Sequence, residues 1–525
     1  MGYPTMVAKD EHHDIPWRLD ALIAEATPDA ALEAALCDIE ISSLAYRSDD
    51  VQAGSLFFCI PGAKADGHDF ARDAASKGAA ALAVEHRVDV DLPQILIEDT
   101  RLALAQVAGI FYDNPSKDLV ITAVTGTNGK TTTTFLVDWI CSYSGQKGTA
   151  PVASATGLIG TVETRIGNTK LPSKFTTPES LDLQRLLADM REAGVSHVSM
   201  EVSSHAIALH RVAGINFAVA AFTNLTQDHL DFHRTMEEYF EAKAKLFDSP
   251  LVANRVIDID TPAGQRLVAR CQQQGFETIT CGRRQDARIR AEAITFTPTS
   301  TSLELITPQG RFPLEYPLIG GFNVSDVLLA TGIALALGIP TPHIIDALAQ
   351  CPQIPGRLER VFDSAATPNI GVFVDYSHTP DSIKKALEAL DEIKTARTLI
   401  VFGCGGDRDK TKRPLMGKAA LAADFAIVTS DNPRTEDPAS IIADILPGMA
   451  EAKDRYEVQP DRRAAIARAI ALAQDGDLIL IAGKGHEDYQ LVGDKVLPFD
   501  DRLVAAEELI KAKSAPANEG EASCS

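Results

Sequence analysis

Along the chain, short apolar runs recur, each followed by a polar, often glycine-rich loop and then a stretch with helical spacing. SLFFCI (55–60) and AALAVE (80–85), with a helix-like stretch over Ala71–Gly78, set the texture of the first part. LVITAV, HVSMEV and FAVAAFTNL follow, and then IGVFVDY, TLIVFG, FAIVTS and DLILIA. Runs this short, bounded by turn residues and rich in Val, Ile and Phe, read as buried strands. Strand then helix, repeated, predicts parallel sheets in an α/β architecture. The changes of texture divide the chain into an N-terminal domain (1–118), a central domain (119–355) and a C-terminal domain (356–513). The small polar residues of 514–525 predict a disordered tail.

The unusual loops all follow strands: TGTNGKTT, EVSSH, SHTP, GCGGDRDK, SDNPRTE and GKGHED. Open parallel sheets bind ligands beyond the carboxyl ends of their strands. These loops therefore fall where ligands should be, and two such sheets suggest a cleft between two domains.

Composition narrows the partners. The 525 residues exceed one ordinary core. No apolar run reaches the roughly 18 residues of a membrane span, and MGYPTMVAKDEHHD has no apolar signal core. A net charge of −22 repels nucleic acid and anionic membrane, so an anionic ligand must be held by local basic residues. The eight cysteines form no CxxC pair. Cys37, Cys59, Cys141, Cys271, Cys281, Cys351 and Cys404 read as reduced, mostly buried thiols in a cytoplasmic protein.

Candidate chemistry begins at AVTGTNGKTTTT (123–134). Gly129 precedes Lys130 directly, but Gly126 stands only four back, closer than in the common phosphate loop. Glycines let backbone N–H groups approach a phosphate, and a following helix N-terminus adds its dipole. Lys130 would meet the β- and γ-phosphates, and the Thr131 or Thr132 hydroxyl a Mg2+ ion. The bland alternative is an ordinary strand-to-helix turn. Glu201 and His229 are metal-ligand candidates, each of which could equally be a partly buried polar residue. By its neighbours alone, Lys243 in EEYFEAKAKLF looks like a solvated helix lysine. The run Asp407, Arg408, Asp409, Lys410, Lys412 and Arg413 is a wet loop or a site. In DNPR, Pro433 fixes the turn, and Arg434 is either a bidentate grip for a carboxylate or a surface ion pair.

GTNGKTT, TTPES, MEVSSHAIALHRV, FTNLTQDHLDFH, AKAKLF, GGFNV, PGRLER, VDYSHTPDS, FGCGGDRDKTKRPLMG, SDNPRTEDP and AGKGHEDYQ stand in the order found in Mur ligases. From about Ser48 to Arg502 the chain resembles that family. The resemblance implies three domains: one for the uridine end of the substrate, a central ATPase, and a C-terminal Rossmann-like domain. It implies cytoplasmic peptidoglycan precursor synthesis by a monomer. ATP and Mg2+ would drive addition of meso-diaminopimelate to UDP-N-acetylmuramoyl-L-alanyl-D-glutamate through an acyl phosphate.

Roles follow by motif. The phosphate loop Gly126, Thr127, Asn128, Gly129, Lys130, Thr131 and Thr132, with Asn323 and Arg357, matches ATP contacts. Lys130 and Lys243 match catalytic lysines. Thr131, Glu201, His229 and Lys243 match metal ligands, Lys243 as a carbamate, which reverses the local reading. Ser48, Thr176, Thr177, Ser203 and Arg211 match contacts to the UDP-substrate. Arg408, Asp431, Asn432, Pro433, Arg434, Gly483 and Glu487 match the amino-acid pocket. Arg47, Leu209 and Asp326 depart from residues frequent in the family (Asp, Gln and Asn respectively) and leave uridine, muramoyl and adenine contacts open. The rivals are a lysine-adding ligase, a folylpolyglutamate synthetase, against which DNPR and GKGHED argue, and an inactive nucleotide-binding scaffold.

Overall fold

The computed structural model describes residues 16–26, 38–62, 65–147, 155–173, 175–361 and 370–514. The readings given for the first residues, for Cys37 and for the tail beyond 514 lie outside the described residues. Two compact units make up the fold. One comprises Met1–Arg290, Ile306–Gly310 and Ser325–Ala347; the other comprises Ala291–Leu305, Arg311–Val324 and Leu348–Ser525.

In the first unit, the early apolar runs form a four-stranded parallel sheet of Ser43–Ala45, Ser55–Phe58, Ala79–Val84 and Gln94–Leu96. The helix Thr100–Phe111 packs on it through Leu104, Val107 and Phe111. Asp99 starts that helix by accepting from the Leu102 N–H. The stretch read as helical forms a helix over Ala71–Ser76.

A second, eight-stranded sheet follows in this unit. Its order is Thr169–Leu171, Thr164–Ile166, Thr156–Ile159, His197–Glu201, Val120–Thr125, Phe217–Phe222, Val252–Asp258 and Ile279–Cys281. The last six strands are parallel and the first two form an antiparallel edge hairpin. Continuous apolar runs are what a sheet covered on both faces needs, and Val120–Thr125, His197–Glu201 and Phe217–Phe222 are almost wholly buried. Val120–Thr125 lies between the other two, with Val124 opposite Glu201 and Thr125 opposite Phe222. The loops after these three strands therefore emerge side by side, where the chain switches direction across the sheet.

The second unit carries a six-stranded sheet ordered Glu359–Arg360, Gly371–Asp375, Leu478–Ala482, Thr398–Phe402, Phe425–Val428 and Tyr456–Val458. All but the first strand run parallel. Leu478–Ala482, Thr398–Phe402 and Phe425–Val428 are neighbours, so GKGHED, GCGGDRDK and SDNPRTE also emerge together. A hairpin of Tyr489–Val492 and Lys495–Pro498 follows GKGHED. A three-stranded sheet of Arg290–Phe296, Thr301–Thr307 and Gly310–Tyr316 completes the described strands of any length.

The described cysteines Cys59, Cys141, Cys271, Cys281, Cys351 and Cys404 are unpaired and buried. Among the described residues no helix is long and apolar enough to cross a membrane.

Candidate active site

The shortened phosphate loop caps a 17-residue helix, Lys130–Gln146. Gly129 is its N-cap at φ 85°, and Gly126 sits at φ 150°. A Cβ on Gly126 would lie 1.8 Å from the Thr223 hydroxyl, and one on Gly129 2.2 Å from Asp326 Oδ1. Both positions therefore demand glycine. The turn is strapped from the neighbouring strand end: Thr223 Oγ1 donates to the Asn128 carbonyl at 2.6 Å, and Asn128 N donates to Asn224 Oδ1 at 3.1 Å. Thr226 N donates to Thr127 Oγ1 at 3.0 Å, so Asn224 and Thr226 of FTNLTQDHLDFH both support the loop, a role that no sequence signal marks. Lys130 Nζ folds back onto the carbonyls of Gly126 (3.1 Å) and Thr127 (2.8 Å). Thr131 and Thr132 are buried in the first turn. An anion at this turn would meet backbone N–H groups, the positive helix end and the Lys130 ammonium.

Lys243 is not the solvated lysine that its neighbours suggest. On the helix Met236–Asp248 it shares a face with Tyr239, Phe240, Leu246 and Phe247, and it is 1% exposed. Its Nζ donates to the Gly126 carbonyl at 2.9 Å and lies 4.7 Å from the centre of the Tyr239 ring. Burial, with the Lys130 charge second, pushes its pKa well below the usual lysine range, against the pull of Asp228. The ring contact favours an ammonium, but full desolvation outweighs it. A desolvated amine that holds its proton loosely, beside a phosphate loop, is suited to act as a nucleophile.

Glu201, 1% exposed, accepts from Thr161 N at 2.9 Å and Thr161 Oγ1 at 3.0 Å. Among the described residues it makes no ion pair. A buried carboxylate with no cation is costly, and hard Mg2+ prefers such oxygen donors, but among the described residues no three acidic, histidine or cysteine side chains gather as a preformed metal site. His229 adopts φ 53° and its ring stands edge-on to His205 at 4.9 Å. Non-glycine residues in this region gather at functional sites.

The residues matched to the UDP-substrate extend from Glu201. Thr176 shares a hydrogen bond with Thr161 (2.9 Å), and Thr177 Oγ1 donates to the Glu201 carbonyl at 2.9 Å. Ser203 N donates to Thr177 Oγ1 at 3.1 Å, and Arg211 donates to the Thr177 carbonyl at 3.0 Å and pairs with Glu179 at 2.7 Å. Ser48 stands apart, half-buried beside Asp73 at the start of a 3-10 turn. Of the departures, Arg47 pairs with Asp50, Leu209 ends the helix Ser204–Ala208, and Asp326 is buried against Gly129.

In the second unit, Asn432 and Glu487 are bonded side chain to side chain, and Arg434 is tied by its backbone to the hairpin that Asn432 also holds. Asn432 Nδ2 donates to Glu487 Oε2 at 2.7 Å. Asn432 Oδ1 accepts from Leu491 N at 2.9 Å, and Gln490 Nε2 donates to the Asp431 carbonyl at 2.6 Å, which ties DNPR to the hairpin. Arg434, at φ 52°, bridges to the same hairpin through its backbone and donates Nη1 to the Gly406 carbonyl at 2.7 Å. Among the described residues no carboxylate pairs with its guanidinium. A Cβ on Gly405 would lie 2.9 Å from Arg434 Nη1 and 3.8 Å from Arg408 Cγ, so both arginines flank that glycine. A Cβ on Gly483 (φ 118°) would lie 2.4 Å from Asp431 Oδ2. Burial raises the Glu487 pKa, with Lys484 opposing.

Two other matched residues also lie in this unit. Arg357 covers the Tyr376 ring at 5.2 Å, and buried Asn323 donates to the Ile319 carbonyl at 2.7 Å. The 407–413 charge run divides. Arg408 is exposed, whereas Arg413 is fully buried between Glu436 and Asp444 and is structural.

Three family profiles match in order: "Mur ligase family, catalytic domain" over 40–117, "Mur ligase middle domain" over 124–334, and "Mur ligase, glutamate ligase domain" over 356–485. The UDP-N-acetylmuramoyl-L-alanyl-D-glutamate--2,6-diaminopimelate ligase of Geobacillus thermodenitrificans is 45% identical over 476 residues, 89% of this chain and 94% of its own. The chain belongs to the Mur ligase family. The ligase of the same name from Gloeobacter violaceus is 45% identical over 484 residues, 91% of this chain and 96% of its own. A solved structure of a ligase of that name superposes with TM-score 0.69 at 30% identity, covering 95% of this chain and 99% of that one. The three-domain α/β fold expected for a Mur ligase, with parallel central and C-terminal sheets, is the fold of this chain.

Proposed function

We propose that this Mur ligase joins meso-diaminopimelate to UDP-N-acetylmuramoyl-L-alanyl-D-glutamate at the expense of ATP, in peptidoglycan precursor synthesis. The observation that carries the choice of amino acid is the loop Asp431–Arg434. It offers a guanidinium with no carboxylate partner among the described residues, bonded to the Gly406 carbonyl, while Asn432, two residues earlier in the same loop, holds the carboxylate of Glu487. That pairing suits the far end of diaminopimelate, which carries both a carboxylate and an ammonium. Lysine would supply the ammonium alone.

The reaction follows from charge. A carboxylate resists attack by an amine until one of its oxygens becomes a leaving group. The D-glutamate side-chain oxygen attacks the γ-phosphorus and ADP leaves. The free amine then attacks the acyl carbon, and phosphate departs with that oxygen while the amine loses its proton. Lys130 and the loop N–H groups offset the phosphate charge, and catalysis is otherwise positioning.

Once it has lost its proton, the Lys243 amine can add to CO2 and release a second one, which replaces a cation with an anionic oxygen ligand. That carbamate, with Thr131, Glu201 and His229, would hold Mg2+, which when bound neutralises phosphate charge. Thr176, Thr177, Ser203, Arg211 and Ser48 would bind the UDP-substrate. Arg408, Asp431, Asn432, Pro433, Arg434, Gly483 and Glu487 would bind the amino acid. Asn323 and Arg357 keep the ATP role that the resemblance gives them. In this reading the domains are 1–118, 119–355 and 356–513 and the enzyme is a cytoplasmic monomer; the six described cysteines, unpaired and buried, suit a reducing compartment.

The test is substrate labelled with 18O in the D-glutamate side-chain carboxylate. One labelled oxygen should appear in the released phosphate for each amide formed. Unlabelled phosphate would reject the acyl-phosphate route.

A further inference from the structure

Lys484 belongs to no role assigned above, yet its side chain is 0% exposed at the end of the Leu478–Ala482 strand. A lysine is almost never fully buried unless it is paired. Its Nζ reaches Glu487 Oε2 at 3.1 Å and Asn432 Oδ1 at 3.3 Å, and it donates to the Tyr489 carbonyl. The same Glu487 oxygen accepts from Asn432 Nδ2 at 2.7 Å. One ammonium thus ties together the carboxylate, the amide of DNPR and the start of the hairpin.

The other charges around Glu487 do not replace it. Arg462 is buried nearby but is held in two hydrogen bonds, 2.8 and 2.6 Å, by Asp501. Asp431 adds negative charge, and Tyr376 and Tyr489 are neutral phenols. Desolvation favours a protonated Glu487, and the charge of Lys484 is the largest influence against that outcome.

We propose that Lys484 is a positioning residue for amino-acid recognition: it holds Glu487 in place as an anion, ready for the far ammonium of the diamino acid. This rests on the amino-acid pocket proposed above. Without the ammonium, Glu487 would be a desolvated carboxyl facing Asp431, and a carboxyl that keeps its proton cannot pair strongly with an ammonium.

The experiment measures kcat and KM for meso-diaminopimelate, ATP and the nucleotide dipeptide in the wild type and in Lys484→Met. KM for diaminopimelate should rise roughly 10- to 100-fold, the usual weight of a hydrogen bond to a charged group. The other two KM values should hold within about threefold. Removing the cation raises the carboxyl pKa, so the variant should recover as pH rises. The ratio of variant to wild-type kcat/KM, in which titration of the attacking amine cancels, should climb as pH rises. An unchanged KM, or a reduced ratio that stays flat with pH, overturns the proposal. Lys484→Gln is read in the same way if the methionine variant does not fold. Wild type that fails to ligate diaminopimelate sinks the underlying pocket as well, whereas normal wild-type turnover with an unresponsive variant sinks the role of Lys484 alone.

Discussion

Replacing Arg434 with alanine should erase most of the enzyme's preference for meso-diaminopimelate over lysine, with far less effect on lysine itself. The guanidinium spends Nη1 on the Gly406 carbonyl, which leaves the Nε–Nη2 edge as a complete fork for a carboxylate. Two charge-assisted bonds at about 1.5 kcal/mol each, the low end of their range, come to about 3 kcal/mol. That is roughly 100-fold in kcat/KM at 1.4 kcal/mol per tenfold. A site built to bond a group can reject an analogue lacking it by about 10⁴-fold, so preference should fall from about 10⁴ to about 10². Position 434 lies at φ 52°, where alanine and arginine pay similar strain, so the backbone should not confuse the comparison. Arg434→Lys should restore less than about tenfold, because a point charge lacks the planar fork. Phosphate release with each amino acid, for wild type and both variants, gives the ratios. A preference that survives intact in Arg434→Ala would refute the reasoning.

Lys243→Ala should lose most ligase activity while keeping its fold, with partial rescue by added short carboxylates that mimic a carbamate; full activity would sink the carbamate. Glu201→Gln should weaken Mg2+ binding, seen as a metal requirement raised by roughly tenfold or more, since a neutral amide binds a hard cation poorly; an unaltered Mg2+ titration would remove Glu201 from the metal site. His197, fully buried with its pKa pushed down to about 4 from an ordinary 6.5, stays neutral when folded but takes up a proton when unfolded. Its contribution is therefore whole above pH 6.5 and is lost as pH falls towards 4, about 2 kcal/mol by pH 5. Asp258, raised by burial to about 7, pulls the other way, so the check is denaturation of His197→Gln against wild type. The variant's deficit should shrink by that amount from pH 7.5 to 5, and a constant deficit would contradict it.

The parallel strands were legible because both of their faces are buried, which makes their sequences continuously apolar. Polar edge strands were not. Thr164–Ile166 and Thr169–Leu171 alternate polar residues at the sheet margin, yet the two-residue link Gly167–Asn168 is a hairpin signal. The pair Gly493–Asp494 marks the hairpin that anchors DNPR in the same way. Lys243 could also have been placed. Tyr239 and Phe240 lie four and three residues before it, and Leu246 and Phe247 three and four after, which is the period of a buried helical face. The charges beside it had suggested water. The straps were harder to see: Thr161 meets Glu201 across 40 residues of chain, and only the sheet order brings them together.

The central claim is tested most directly by a competition. The purified protein is given UDP-N-acetylmuramoyl-L-alanyl-D-glutamate, ATP, Mg2+ and equal meso-diaminopimelate and L-lysine, and the nucleotide product is weighed by mass spectrometry. The account predicts a product heavier by one diaminopimelate residue, formed with one phosphate released per molecule. A lysine-bearing product, or phosphate released with no extended peptide, would contradict it.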